Sequence, residues 1–577
     1  MARLRKVQIS HFRSIKSLTW SPSPGLNCLI GPGDSGKSTV LDAIDLCLGA
    51  RRTIQFTDAD FHGLDVSEPV SITLTIGELD DALKNFETYG LYLRGFDVAT
   101  GEIEDEPEKA LEPVLCLNLT VGSDLEPAWS LISDRARAQN ATRNLTWGDR
   151  VRLAPTRIGV LSDFNLSWRR GSILNRLTDE KADASAALAK AARDARAAFG
   201  EDVEKQLGET LRLVGEAAAE LGIDVGGKVR ALLDAHSVTF GGGTISLHDE
   251  EGVPLRGLGI GSTRLLLAGL EWKAAAQSSV LLVDEVEHGL EPHRIIRFLG
   301  SLGAKEAEPP LQVFMTTHSP VVLRELLASQ LVVLRDTGGQ HEPLSVGVDP
   351  DIQGVVRLHP EAFLATSVAV CEGASEVGLV RGLDQHRSAN GDASVFACGV
   401  ALVDVKGEKN LLKVAEAFSS LRYRVAILRD DDVKPNMVKE KAFADAGGLV
   451  TAWQPGRKLE EELFHSLPAD AVNALLDLAL TVKDQGVVND QIKSASADTV
   501  TLASVRSELN GRAVSETARV ALGKAAGGKN APWFKNVSAM EEIWRKIVGP
   551  TFDDADPRFQ EIVNEFFAWA TDGRSRD

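Results

Sequence analysis

The chain has 577 residues and a formal net charge of −19, with 44% hydrophobic and 25% charged residues, proportions that exclude a largely disordered protein. The acidic balance excludes a protein coated in basic charge for packaging nucleic acid, yet leaves room for a nucleic-acid enzyme with local phosphate-binding patches. Five cysteines without a CxxC pair exclude a disulfide framework and a zinc ribbon. No apolar run approaches the ~20 residues of a membrane span, so a cytoplasmic protein with no membrane partner is expected.

At roughly 150 residues per domain, the length predicts three to four domains. Alternating apolar residues predict strands around Leu4–Ile9 and Leu26–Ile30. The second runs into Gly31-Pro32-Gly33-Asp34-Ser35-Gly36-Lys37-Ser38, and Thr39 to Leu48 then has helical spacing. This is GxxxxGK[ST] between a strand and a helix, the context the motif requires. Its backbone amides, over Gly31, Asp34, Ser35, Gly36 and Thr39, are suited to converge on phosphate oxygens. Lys37 would reach the β and γ phosphates, and the Ser38 hydroxyl would ligate Mg²⁺.

Strands are expected at Val70–Ile76 and Pro113–Val121. From about Asp179 to Leu221 the chain turns to Ala, Glu, Lys and Arg without proline, which predicts long helices. Two readings stay open there: an ordinary helical subdomain, or an arm pairing with a second copy. Strands resume near Val238–Phe240 and Thr244–Leu247.

Val280-Leu281-Leu282-Val283 ends in Asp284-Glu285, the pattern of a Walker B strand. Asp284 would hold the Mg²⁺ shell and Glu285 would polarise the attacking water. Lys37 and Asp284 lie 247 residues apart. So large an insertion resembles the ABC-type ATPases, including their SMC-like branch. Leu258-Gly259-Ile260-Gly261-Ser262-Thr263-Arg264 resembles a degenerate ABC signature, with Gly259 where a serine is usual. Gly261 and Ser262 could still offer amides to a phosphate. In ABC-type ATPases the signature acts across a dimer, so ATP binding implies a homodimer. Thr316-Thr317-His318-Ser319-Pro320 resembles the switch in which a histidine, here His318, senses the γ phosphate.

A second α/β pattern begins at Ser367–Cys371, a strand leading into Glu372-Gly373-Ala374-Ser375-Glu376. Val425–Leu428 is a further strand, followed by Arg429-Asp430-Asp431-Asp432. Asp430 and Asp432 share a face at i and i+2. Lys458-Leu459-Glu460-Glu461-Glu462 adds more acids, of which Glu460 and Glu462 both fit a metal site. So many carboxylates at strand ends call for hard cations, two Mg²⁺ or Mn²⁺ ions clamping a phosphodiester. In this order the fragments resemble the Toprim fold. A topoisomerase would need a nucleophilic tyrosine, and Tyr89, Tyr92 and Tyr423 are poorly sited for one. Lys535, ahead of Lys524 and Lys529, is the favoured cation for the transition state.

An ABC-type ATPase split by a helical insert and followed by a Toprim domain resembles the OLD (overcoming lysogenization defect) family, related to the GajA subunit of the Gabija antiphage system. Phe12-Arg13-Ser14-Ile15, the Gly31–Ser38 loop, Asp284-Glu285-Val286-Glu287, Thr317-His318-Ser319-Pro320, Glu372 with Glu376, and Asp430-x-Asp432 carry the resemblance. It implies an ATP-dependent, metal-dependent DNA endonuclease, a homodimer or larger assembly, and a role against phage or foreign DNA. A neighbour-encoded helicase or other defence subunit is a further possible partner. The expected architecture is α/β. It comprises an ABC/SMC-like P-loop ATPase at 1–165 and 236–350, a helical dimerisation insert at 166–235, and a Toprim domain with a helical C-terminal part at 366–577. The competing function is an ATP-gated, SMC-like DNA clamp whose Toprim domain is silent.

Overall fold

The computed structural model describes residues 2–51, 54–159, 190–191, 194, 207–220, 247–252, 254–273, 280–528 and 531–572. The expected insert at 166–235 lies outside the described residues except for 190–191, 194 and 207–220, where Gly208–Glu220 is helical. The strands expected at 238–247 lie outside them save Leu247. The chain divides into two compact units, Met1–Asn27 with Ser38–Thr317, and Cys28–Lys37 with His318–Asp577.

In the first unit, β1 (Arg3–Phe12) pairs antiparallel with β2 (Ile15–Trp20). The strand β3 (Leu26–Ile30) follows and leads into the second unit. On its other side β1 pairs with β4 (Val70–Gly77). Beyond β4 lie β7 (Glu112–Val121), β5 (Leu93–Phe96) and β6 (Ile103–Glu104), and β8 (Pro127–Leu131) also pairs with β7. The predicted strands at 70–76 and 113–121 are thus β4 and β7. A parallel trio completes the unit: β9 (Thr156–Ile158), β10 (Val280–Val283) and β11 (Gln312–Thr316), with β10 central. Every residue of β10 and β11 is buried, as expected of strands covered on both faces. The Gln312 side chain accepts from Leu4 N at 2.7 Å and donates to Leu4 O at 2.9 Å, tying the trio to β1. Helix α1 (Lys37–Leu48) begins at the end of the glycine loop, and helix α2 (Ile260–Lys273) precedes β10.

In the second unit, Cys28–Ile30 of β3 pairs parallel with β12 (Leu331–Asp336), which pairs antiparallel with β13 (Gln340–Ser345). The glycine loop rests on this pair. Gly31 has φ 141°, and a Cβ there would lie 2.7 Å from Leu334 O, so only glycine fits. A four-stranded parallel sheet follows in the order β15-β14-β16-β17: β14 (Ser367–Cys371), β15 (Val400–Asp404), β16 (Arg424–Arg429) and β17 (Leu449–Ala452). The chain steps from β14 to β15 on one side, then crosses back to β16 on the other. Such a reversal opens a crevice at the carboxyl ends of β14 and β16.

Helix α3 (Ala374–Ala389) follows β14, and α4 (Glu408–Ser420) follows β15. Then come α5 (Met437–Asp445), α6 (Leu459–Ser466), α7 (Glu516–Ala526) and α8 (Val537–Ile543). The C-terminal helices share one core with the parallel sheet, including Leu463, Phe464, Trp533, Phe534, Met540 and Trp544. Helix α3 approaches α8 so closely that a Cβ on Gly378 would meet Met540 Cβ at 2.5 Å, and one on Gly382 would meet Glu541 O at 2.3 Å.

All three tyrosines are buried: Tyr89 is 0%, Tyr92 4% and Tyr423 5% exposed, so none is presented as a nucleophile. Tyr423 donates to Phe363 O at 2.6 Å, and the Arg335 guanidinium lies 3.8 Å from its ring centroid. Burial pushes the Tyr423 phenol up to about 12. Replacing Tyr423 with Leu removes a desolvated cation–π contact and leaves the buried Arg335 guanidinium with its Nε bond to Leu421 O. We expect a loss of about 2–3 kcal/mol in urea unfolding, with an unchanged midpoint as the contrary result.

Candidate functional site

The glycine loop is a run of amides splayed by backbone conformation. Gly31, Asp34 and Gly36 have φ of 141°, 56° and 83°. Alternation of this kind points successive N–H groups to one side, forming a nest for an anion. Lys37 Nζ donates to Gly31 O at 3.2 Å, Pro32 O at 2.6 Å and Ser35 Oγ at 3.3 Å, which holds the ammonium over the loop.

In the first unit, Ser38 Oγ donates to Asp284 Oδ1 at 3.0 Å and Thr316 Oγ1 to the same oxygen at 2.6 Å. Arg157 Nη2 donates to Asp284 Oδ2 at 3.3 Å. The hydroxyl and carboxylate expected to share a Mg²⁺ shell are therefore already side by side. Glu285 follows with φ 48°, a left-handed conformation costly for any residue that carries a Cβ, and its side chain is 57% exposed. Arg264 of α2 holds that turn: its guanidinium donates to Asp284 O, Glu285 O and His288 O, each at 2.9 Å. Arg264 is 1% exposed, and a guanidinium so buried needs partners for its charge, which these carbonyls supply to both of its Nη groups. Thr317 Oγ1, just past the end of β11, donates to Glu287 Oε2 at 2.6 Å, closing the same turn.

Gly261 and Ser262 start α2. A Cβ on Gly261 would lie 2.2 Å from Gly289 O, and Ser262 Oγ accepts from Arg294 Nη1 at 3.1 Å. Thr39 is in the first turn of α1, and His318 is exposed just past β11. Arg264 and Arg157 escaped sequence reasoning, because nothing in their local pattern marks an arginine that will bind the carbonyls of the Asp284 turn, as Arg264 does, or the Asp42 and Asp284 carboxylates, as Arg157 does.

The second constellation lies wholly within the second unit, at the carboxyl ends of β14 and β16. Glu372, directly after β14, accepts from Asp430 N at 3.0 Å through Oε2. Asp430, directly after β16, accepts from Leu459 N at 2.9 Å through Oδ1. Glu376 in the first turn of α3 accepts from Gly373 N at 3.0 Å. Glu460 in α6 accepts from Ser375 Oγ at 3.2 Å. Glu372, Asp430 and Glu460 thus form a chain of contacts linking two strand ends and two helix starts. Asp432 lies beside Glu372 and Asp430, and its Oδ2 is 3.5 Å from Lys458 Nζ.

These acids strain against one another. Burial, then the charges of Glu460, Glu372 and Asp432, push Asp430 up to about 8. Burial, then Asp430, Glu460 and Glu372, raises Glu376 well above the usual carboxylate range. Glu372 is raised by burial and by Asp432 and Glu408, against the pull of Lys535. Lys535 is itself exposed, carried on the buried Trp533-Phe534 pair, and Trp533 Nε1 donates to Gln491 Oε1 at 2.8 Å. Among the described residues no three acid, imidazole or thiol groups already close into a metal cage. The donor set nonetheless fits a hard dication, since oxygen ligands that raise one another's pKa are the groups such an ion relieves.

Glu462 is not brought to this cluster. It is fully buried and accepts from Gln454 Nε2 at 3.0 Å and Ser466 Oγ at 2.6 Å, with Arg457 at 3.5 Å. Of the two acids left open by spacing, Glu460 faces the strand ends. Asp431, the middle of three aspartates, is likewise turned away as a brace: it accepts from Arg429 Nη1 at 3.1 Å and Gly456 N at 2.8 Å. Lys458 and Glu408 were missed as members of the site. The adjacency of Lys458 to an acidic run was the only available signal.

A P-loop ATPase followed by an acid-lined α/β domain is the class these two sites define. Residues 26–324, just over half of the chain, match the family described as "AAA domain, putative AbiEii toxin, Type IV TA system". Residues 363–432 match "Overcoming lysogenization defect protein-like, TOPRIM domain". The chain therefore belongs to that AAA family and, with its second domain, is an ATPase–TOPRIM protein of the OLD family. Among curated proteins, DNA replication and repair protein RecF of Moorella thermoacetica is 44% identical over 55 residues, 10% of this chain and 15% of that protein. Chromosome partition protein Smc of Synechocystis is 34% identical over 90 residues, 14% of this chain and 7% of that protein. This chain thus spans a small part of either relative's length. A solved SmcHead bound to the C-winged helix domain of ScpA is similar at a TM-score of 0.36 and 14% identity, over 61% of this chain and 99% of that one. Among the described residues no helix is long and apolar enough to cross a membrane.

Proposed function

We propose that the chain is an ATP-regulated, divalent-metal-dependent DNA endonuclease acting against phage or other foreign DNA. The observation that carries this reading is the set of mutually repelling carboxylates at the ends of β14 and β16, braced by backbone amides. Glu372, Glu376, Asp430, Asp432 and Glu460 would hold Mg²⁺ or Mn²⁺. When bound, such ions activate a water and neutralise charge on the phosphodiester. The chain's own groups do the rest. The amides of Asp430 and Leu459 fix the Glu372 and Asp430 carboxylates so that they need not reorganise. Lys535 and Lys458 are the cations within reach of negative charge on the scissile phosphate and the departing oxygen.

In the ATPase, the amides from Gly31 to Thr39, including Asp34, Ser35 and Gly36, cradle phosphates, and Lys37 pairs with them. Ser38 and Asp284 would hold the magnesium that accompanies the nucleotide. Glu285 orients the attacking water, His318 reads the γ phosphate, and Gly261 and Ser262 meet the nucleotide of a second copy. That last role makes a homodimer or larger homo-oligomer the working form.

The test is supercoiled-plasmid cleavage with Mg²⁺, Mn²⁺ or Ca²⁺, with and without ATP, beside Glu372→Ala. Metal-dependent nicking that disappears in the variant is expected. No cleavage in any lane, together with ATP-dependent DNA binding, would replace the nuclease reading with that of a clamp.

A further inference from the structure

Lys535 approaches the acid cluster from the C-terminal helices, on a stretch, Ala531–Asn536, that is neither helix nor strand. Helix α7 ends beside the same cluster: a Cβ on Gly527 would lie 3.6 Å from Glu460 Oε2 and 3.5 Å from Lys458 Cδ. Trp533 N donates to Ala526 O at 3.0 Å, which returns the chain to that helix end. Trp533 and Phe534 are 2% and 0% exposed, and the Trp533 ring meets Phe464 of α6 edge-on with centroids 5.9 Å apart. Just past Lys535, Asn536 caps α8, accepting from Ala539 N at 2.8 Å, and α8 lies against α3 at Gly378 and Gly382. Lys535 is therefore slung between α6 and α3, the helices that bring Glu460 and Glu376 to the site.

A buried indole needs a partner for its N–H. Gln491, half-buried on the helix Gln485–Ala495, supplies it: Oε1 accepts from Trp533 Nε1 at 2.8 Å. The Nε2 of the same amide donates to Ala531 O at 3.1 Å. A primary amide carries both a donor and an acceptor, so one side chain holds both partners. Ala531 has φ 62°, a left-handed conformation that a residue with a Cβ keeps only when its surroundings hold it there. Ala531 and Trp533 flank Pro532, whose ring fixes its own φ, so holding both neighbours fixes the step into Lys535.

We propose that Gln491 is a positioning residue for the Lys535 ammonium: through Trp533 and Ala531 it fixes the turn that carries Lys535 to the carboxylates. The proposal rests on the nuclease reading above and adds the group that aligns its cation. A cation that stabilises developing charge acts through placement before the reaction, and a shift of about 1 Å can cost on the order of 10²-fold in rate. Nothing in the sequence around Gln491 marks it, since its two partners lie some forty residues further along.

The experiment uses the full-length protein, with Gln491→Leu and Trp533→Phe each made alone and on a Lys535→Ala background. Trp533→Phe removes the indole N–H and keeps an aromatic ring, so it tests the clamp without altering Gln491. Single-turnover cleavage of supercoiled plasmid in Mn²⁺ is measured, together with deuterium uptake by peptides carrying Trp533–Asn536 and α6. Each single variant is expected to slow cleavage about thirtyfold, and neither should slow it further once Lys535 is alanine. Uptake should rise at Trp533–Asn536 and stay unchanged at α6. A general weakening of the fold would instead lower cleavage by the same factor on both backgrounds and raise uptake at α6 as well, and either result would overturn the proposal. So would unchanged cleavage in Gln491→Leu or in Lys535→Ala. If the unaltered protein cleaves nothing, the nuclease reading fails; if only Lys535→Ala cleaves nothing, that reading stands. In both cases the uptake comparison decides whether Gln491 holds the turn.

Discussion

Replacing Asp430 with Asn is expected to raise the thermal stability of the metal-free protein while eliminating metal-dependent cleavage. Asp430 is held beside Glu460, Glu372 and Asp432, and burial with those charges pushes it up to about 8. A carboxyl whose folded pKa lies above its unfolded value binds protons more tightly when folded. Its ionisation therefore costs stability, from nothing near pH 4 to the full amount above about pH 8. Asparagine carries no charge at any pH, and its carbonyl can still accept the Leu459 amide that Asp430 accepts at 2.9 Å. The variant should melt about 3 °C or more above the unaltered protein at pH 8, with the gap closing towards pH 4. Adding Mg²⁺ should stabilise the unaltered protein, by about 2.7 kcal/mol at one hundred times its dissociation constant, and the variant far less. Plasmid cleavage should fall at least ~10³-fold, about 4 kcal/mol of transition-state stabilisation. A variant that melts below the unaltered protein at pH 8 would mean that the acids are not in conflict. One that still cleaves would remove Asp430 from the site.

Glu285→Gln should separate nucleotide binding from hydrolysis. The side chain is 57% exposed and lies at the end of β10, while the backbone turn that carries it is held by Arg264 rather than by its own carboxylate. Glutamine therefore preserves the turn, the Ser38–Asp284 contact and the phosphate loop. It loses only the carboxylate that would polarise water, a general-base contribution typically worth about 10²–10⁴ in rate. Affinity for a fluorescent ATP analogue should stay within about threefold, a change below ~1 kcal/mol, while phosphate release collapses. Lys37→Ala, by contrast, should lose nucleotide affinity itself. Equal hydrolysis by Glu285→Gln and the unaltered protein would assign the base elsewhere.

The elements most legible in the chain were those whose chemistry is contiguous. The loop from Gly31 to Ser38 needs its glycines at fixed offsets for amides to converge, so the pattern survives as a string. The strands before Asp284, Glu372 and Asp430 are parallel and covered on both faces, which turns them into short apolar runs ending abruptly in acid. Local periodicity could also place α1 after its loop and β4 and β7 among the early strands.

What spacing could not decide was direction. Glu460 and Glu462 sit two apart on one helix, about 200° around its axis. One must face the strand ends and the other must not, and only the seating of α6 chooses Glu460 for Asp430 and Glu462 for Gln454 and Ser466. The three consecutive aspartates read as equals, yet Asp431 is drawn off by Arg429 and the Gly456 amide, partners supplied by tertiary contact. Arg264 holds the turn at Asp284 and Glu285 from helix α2, and Lys458 meets Asp432 from across a loop. The chain by itself determined which chemistries are present, because each motif is a local requirement on consecutive residues. The tertiary structure decided which acids share a site and which merely brace it, because that depends on the faces that packing turns inward.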